Sequence, residues 1–151
     1  MSEAPIREAL EVFRRLRSPD GEANARALLA RIAAAQGRLP EARSETDRAR
    51  TLAIKSENRG HRLAVEIACA RVLGTLGEQE RALAIESLRR AQIDATRAGM
   101  LPLIFEARLA LGEIEVRSSR VAAQGLLKQL RKDATLKGFG WVASRAAAAA
   151  R

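Results

Sequence analysis

A catalytic histidine needs a nucleophile and an orienting carboxylate, and this chain has one histidine, His61, beside Gly60 in an expected loop. Any Ser-His-Asp or Cys-His arrangement would have to use it. An exposed loop histidine is the plainer reading. The single cysteine, Cys69, falls on the apolar stripe of a helical segment and reads as a small core residue. No Cys/His cluster has zinc spacing, and no glycine-rich phosphate loop occurs. Glu113 and Glu115 are two apart, on different faces of a helix, and make a poor acid/base pair. Ser118-Ser119 lies in a turn, where serine usually caps a helix. The expectation is therefore no catalytic set, no metal, no cofactor and no enzyme.

Composition says what kind of frame carries these residues. The 151 residues suit one domain, and 31 of them are alanine. Apolar residues make up 47%, aromatics 3%, and tyrosine is absent. Helix formers (Ala, Leu, Arg, Glu) dominate over strand formers. No run of 18 apolar residues exists, so nothing spans a membrane and no membrane partner is expected. The start, Met1-Ser2-Glu3-Ala4-Pro5, lacks a basic and apolar leader pattern, and one cysteine fits a reducing compartment, so a cytoplasmic location is expected.

The net charge of +9 raises a nucleic-acid reading. Arg outnumbers Lys 23 to 4, and the arginines are spread along every segment and interleaved with Glu. The one compact basic run, Lys128, Arg131, Lys132 and Lys137, is broken by Asp133 and has no interleaved aromatics for base stacking. Dispersed charge does not focus a field, so a nucleic-acid-binding basic helical repeat stands as the alternative rather than the lead.

The chain repeats. Residues 28–42, 68–84 and 110–123 each show an apolar helix end, a small-residue turn and a new helix opening on alanine. The turns centre on Gly37, Gly77 and Ser119, spaced by 40 and 42 residues, which holds two helices and two loops. First helices carry Leu29, Ile32 and Ala33; then Cys69, Val72, Leu73 and Leu76; then Ala107, Leu111 and Ile114. Second helices carry Ala42, Thr46, Ala49 and Ala53; then Ala84, Leu88, Ala91 and Ala95; then Ala123, Leu127, Leu130 and Ala134. This is the 3.6-residue period of one buried face. Ser18-Pro19-Asp20-Gly21, Gly60, Gly99 with Pro102, and Gly138 with Gly140 mark the boundaries. The expected architecture is all-α: an opening helix in 1–19, with Ile6, Leu10, Phe13 and Leu16 on one stripe; helix pairs at 22–56, 60–98 and 101–137; and a capping helix at 140–151. Phe139 and Trp141 are expected to supply most of the aromatic area at the carboxyl end. The antiparallel, hairpin-linked helices would stack in sequence order as one solenoid domain over 1–151.

From Glu22 to Asp133 the chain resembles a tetratricopeptide-repeat protein. The likeness rests on Ala-rich first helices, the Gln36-Gly37-Arg38-Leu39-Pro40-Glu41-Ala42 turn and the Leu111-Gly112 pair. Arg26, Glu66 and Arg108 stand where that family often has a tryptophan, and Ala33 and Leu73 replace its tyrosine. The units are longer than the usual 34 residues or so. The segment from Ala107 through Trp141 is similar to the carboxyl-terminal repeats of large bacterial signalling proteins. The opening helix resembles the second helix of a preceding unit, so a chain cut from a longer regulatory protein is expected.

The resemblance implies a scaffold that binds a protein or peptide on its concave face. Counting back from the turns puts Arg31, Arg71 and Glu113 at equivalent places. Asn24 lies two turns before Arg31 on the same face, and Arg117 one turn after Glu113. In that family such positions often hold a partner's backbone or carboxylate. Asn suits backbone amides and Arg clamps carboxylates, so an acidic ligand is expected.

Overall fold

The structure is a computed structural model and describes residues 2–151. Eight helices and no strand occur among the described residues: α1 (Ala4–Arg15), α2 (Pro19–Ala35), α3 (Leu39–Ala53), α4 (Arg59–Leu76), α5 (Glu78–Arg97), α6 (Leu101–Glu115), α7 (Arg120–Leu136) and α8 (Gly140–Ala149). The chain divides into two compact units, one up to Ala84 and one from Ile85 to Arg151, the division falling within α5.

In the first unit α2 packs against α1, α3 and α4, and α3 packs against α4. The core is built mainly from small side chains. Ala23, Ala27, Ala49, Ala53, Val65 and Cys69 form one cluster, and Ala30, Ala33, Ala42 and Val72 another. Leu10 of α1 buries against Ala25 and Leu29, with Ile6 and Phe13 at its edge. Thr46 is fully buried in this alanine layer, and its hydroxyl is met by donating to the Ala42 carbonyl at 2.8 Å.

In the second unit α6 packs against α7 and α8, and α7 packs against α8. Here the core is larger-grained: Phe105, Leu109, Leu127, Leu130, Ala134, Val142 and Ala146. Phe105 and Phe139 meet edge to face with ring centroids 5.0 Å apart. All twelve residues expected along the second helices are buried.

Several expectations change. The segment Pro19-Asp20-Gly21, expected to mark the boundary after the opening helix, is itself the first turn of α2. Ser18 caps it, its hydroxyl accepting from the Gly21 amide, and Pro19 brings a φ already suited to a helix start. Leu16 is exposed, because α1 ends at Arg15 and the chain turns before the stripe is completed. Trp141 is half exposed. The α8 residues Val142 and Ala146, four apart, face the core instead, and the buried aromatic partner of Phe139 is Phe105.

Four helix ends close in the same way. Gly37, Gly99 and Gly138 sit at φ +74°, +66° and +79°, and the next amide returns to the carbonyl five residues back, at 2.8–2.9 Å. Arg17 does the same work at φ +52°, with the Ser18 amide on the Phe13 carbonyl. Glycine adopts this left-handed conformation without the steric penalty that arginine bears.

Candidate functional site

On α2 the buried residues Ala23, Ala27, Ala30 and their neighbours leave one outward stripe. Asn24, Leu28 and Arg31, at i, i+4 and i+7, are exposed along it. The packing of α4 against α2 brings the next first helix alongside, with Arg71 part-buried near its end. Arg31, Arg71 and Glu113 are all engaged with neighbours. Glu113, on α6 in the second unit, receives Arg145 of α8 at 2.7 Å. Arg117 lies exposed in the turn after α6. Asn24, Arg31 and Arg71 thus belong to the first unit, and Glu113 and Arg117 to the second.

The three places where the resemblance would put tryptophan hold ion pairs between helices. Arg26 of α2 is 5% exposed. It donates from Nε and Nη2 to Glu22 at 2.9 and 2.8 Å, and from Nη1 to Glu45 of α3 at 2.8 Å. Burial is the largest single influence on Arg26 and lowers its pKa, but the bonds to Glu22 and Glu45 outweigh it and hold the guanidinium above its ordinary value. Glu66 of α4 takes a two-pronged contact from Arg50 of α3, both at 3.0 Å. Arg108 of α6 donates to Asp133 of α7 at 2.7 Å and lies 5.8 Å over the Phe105 ring. That bond from Arg108 is the chief reason the Asp133 carboxyl sits below the usual carboxylate range. Charge-assisted contacts therefore tie neighbouring helices at all three places. The Glu22/Arg26 spacing of four is visible in sequence; the partners Glu45, Arg50 and Asp133 are not.

A cleft of about 400 Å³ opens beside the Arg26 network, lined by Glu22, Arg26, Asp47, Arg48, Thr51 and Leu52. Its carboxylates and guanidinium groups are balanced in number, and its Arg26 is already held by Glu22 and Glu45. The Thr51 hydroxyl at its edge donates to the Asp47 carbonyl at 2.9 Å.

The other chemistry-bearing residues take structural places. His61 does not lie in a loop. Asn58 caps α4, its side chain accepting from the His61 amide at 3.0 Å, so the helix starts at Arg59 and takes Gly60 and His61 into its first turn. The imidazole is largely buried, with Nε2 3.6 Å from an Asp20 oxygen, beyond hydrogen-bond reach. Asp20 accepts instead from the Ser56 hydroxyl at 2.9 Å. Cys69 is fully buried, and burial pushes its thiol up to about 12, which leaves it unreactive. Ser119 caps α7 through the Ala122 amide. Among the described residues, no three His, Cys, Asp or Glu side chains gather as metal ligands. Compared with known proteins, the chain matches no family model, and no curated protein and no solved structure is found to be similar to it.

Proposed function

We propose that this chain is a binding module of tetratricopeptide-like helix pairs that holds a protein or peptide ligand of acidic character. The observation that carries the reading is the packing order. A first helix, α2, touches both its hairpin partner α3 and the next first helix α4, and α6 relates in the same way to α7 and α8. Helix pairs that each bury their apolar face only against neighbours stack into solenoids, and the first helices line the inner wall. The exposed stripe of α2 then offers Asn24 for a ligand's backbone and Arg31 for a carboxylate. Arg71 offers a second guanidinium one unit on. In the second unit, taken by itself, Glu113 and Arg117 are the corresponding polar residues of α6 and the turn after it. A preformed wall of helices grips an extended chain with little ordering of its own. The module serves a cytoplasmic regulatory protein of bacterial type in this reading, and catalysis has no part in it.

The test is selection of acidic peptides from a displayed library, followed by fluorescence polarisation. A charge-assisted contact is worth roughly 1.5–3 kcal/mol where water is partly excluded, and less at an open surface. Arg31→Ala with Arg71→Ala should weaken a selected peptide at least about tenfold. Far-ultraviolet circular dichroism should stay unchanged. A peptide whose affinity ignores both substitutions removes the α2–α4 stripe as the site.

A further inference from the structure

Positive charge is concentrated at one end of the chain. Residues 116–151 hold eight Arg or Lys against one acid, Asp133, whereas residues 1–115 hold nineteen against seventeen. Seven of the nine net charges therefore fall in the last 36 residues. Asp133 is taken up by Arg108, and Arg145 by Glu113. The remaining seven, including Lys128, Arg131, Lys132 and Lys137, are all exposed.

The same region exposes large apolar side chains. Helix α7 turns Ala123, Leu127, Leu130 and Ala134 to the core. At 100° per residue the opposite side carries Val121, Lys128, Lys132 and Leu136. Val121 is 83% and Leu136 74% exposed, and Trp141, five residues on at the start of α8, is 49% exposed. Lys137 lies between those last two. The outward face of α7 thus interleaves cations with aliphatic side chains, and an exposed indole follows at the start of α8.

A nucleic-acid backbone would use the cations and leave Val121 and Leu136 without a role. An anionic lipid surface uses both. Cations are drawn to the headgroups, aliphatic side chains enter the acyl boundary, and tryptophan favours the interfacial layer. We propose that the outward face of α7, with the start of α8, docks on an anionic membrane surface. Helix α7 then lies along the bilayer over its length of about 25 Å. No helix of the described residues is long and apolar enough to cross a membrane, and docking requires none. The face includes no residue of α2 or α4.

The full chain is mixed with phosphatidylcholine vesicles with and without phosphatidylserine, and binding is read by co-sedimentation. Trp141 is the only tryptophan, so its emission reports the interface directly. Binding is expected only with phosphatidylserine, with a blue shift of Trp141 emission and a loss at high salt. Lys128→Ala with Lys132→Ala should weaken it roughly thirtyfold, from about fivefold per cation near such a surface. Leu136→Ser should weaken it about tenfold. Arg31→Ala with Arg71→Ala should leave it unchanged, which separates this surface from the peptide site. Helicity measured on each variant guards against misfolding. Absence of binding to phosphatidylserine vesicles overturns the proposal, as does binding with no shift of Trp141 and no effect of Leu136→Ser. Binding to duplex or single-stranded DNA without vesicle binding, lost on changing Lys128 and Lys132, assigns the face to nucleic acid instead.

Discussion

Truncating Arg26 should be costly, and the structure says by how much. Its guanidinium is buried and donates to two carboxylates whose side chains are only 19% (Glu22) and 12% (Glu45) exposed. Removing one partner from a buried pair costs about 3–5 kcal/mol, because the other charge stays desolvated. Two features lower this. Arg14 lies 3.4 Å from Glu22 and Arg48 lies 3.3 Å from Glu45, and each can take over part of the role. Arg26→Ala is therefore expected to cost about 2–3 kcal/mol, a large share of the 5–15 kcal/mol or so that holds a domain folded. Urea unfolding followed by circular dichroism measures it. The equivalent change in the Arg50–Glu66 pair, with side chains 43% and 27% exposed, is the comparison. Arg50→Ala should cost no more than about 1 kcal/mol. If the Arg26 loss comes from stranded charge, then Arg26→Met with Glu22→Gln and Glu45→Gln should recover at least half of it. A loss below about 1 kcal/mol, or a triple variant no better than Arg26→Ala, refutes the reasoning.

Three further outcomes are expected. Arg17→Gly should stabilise the protein by about 0.5–1 kcal/mol, since it relieves a left-handed arginine and keeps the closing bond from Ser18 to Phe13; a lower melting temperature would count against that conformation. Gly112→Ala should lower the melting temperature. A Cβ there stands 2.4 Å from Cδ2 of the fully buried Leu127, and overpacking at about 1–3 kcal/mol outweighs a helix-propensity gain near 1 kcal/mol. The Arg108–Asp133 bond should show in the acid limb. Because the folded Asp133 carboxyl is depressed, its contribution is present above the ordinary aspartate value near 3.9 and disappears as pH falls through the lower folded value. Asp133→Asn should flatten the stability profile below about pH 4, as followed by thermal unfolding across that range.

The helices and their buried faces follow from sequence because both are set within a few residues of chain. Ala42, Thr46, Ala49 and Ala53 repeat at i, i+4, i+7 and i+11, and that spacing puts them on one face whatever packs there. Glycines at 37, 99 and 138 mark helix ends because their backbone freedom is a local property. The places where the local reading fails are also local in cause. Asn58 begins α4 early enough to take in His61, and Ser18 draws Pro19 into α2.

What joins the helices lies beyond that range. Nothing in the sequence around Arg26 names Glu45, nineteen residues away, as its partner. The same holds for Arg108 with Asp133, and for Phe105, which meets Phe139 from far along the chain. Asn24 and Arg31 fall on one stripe of α2 by spacing alone, but it is the docking of α4 on α2 that brings Arg71's helix alongside. The cationic excess of residues 116–151 is a matter of counting. That Val121, Lys128, Lys132 and Leu136 share an outward face depends on the burial of Leu127 and Leu130, which fixes the rotation of α7. Periodicity defines the faces of a helix, and only packing decides which face meets the core and which charge across the interface answers it.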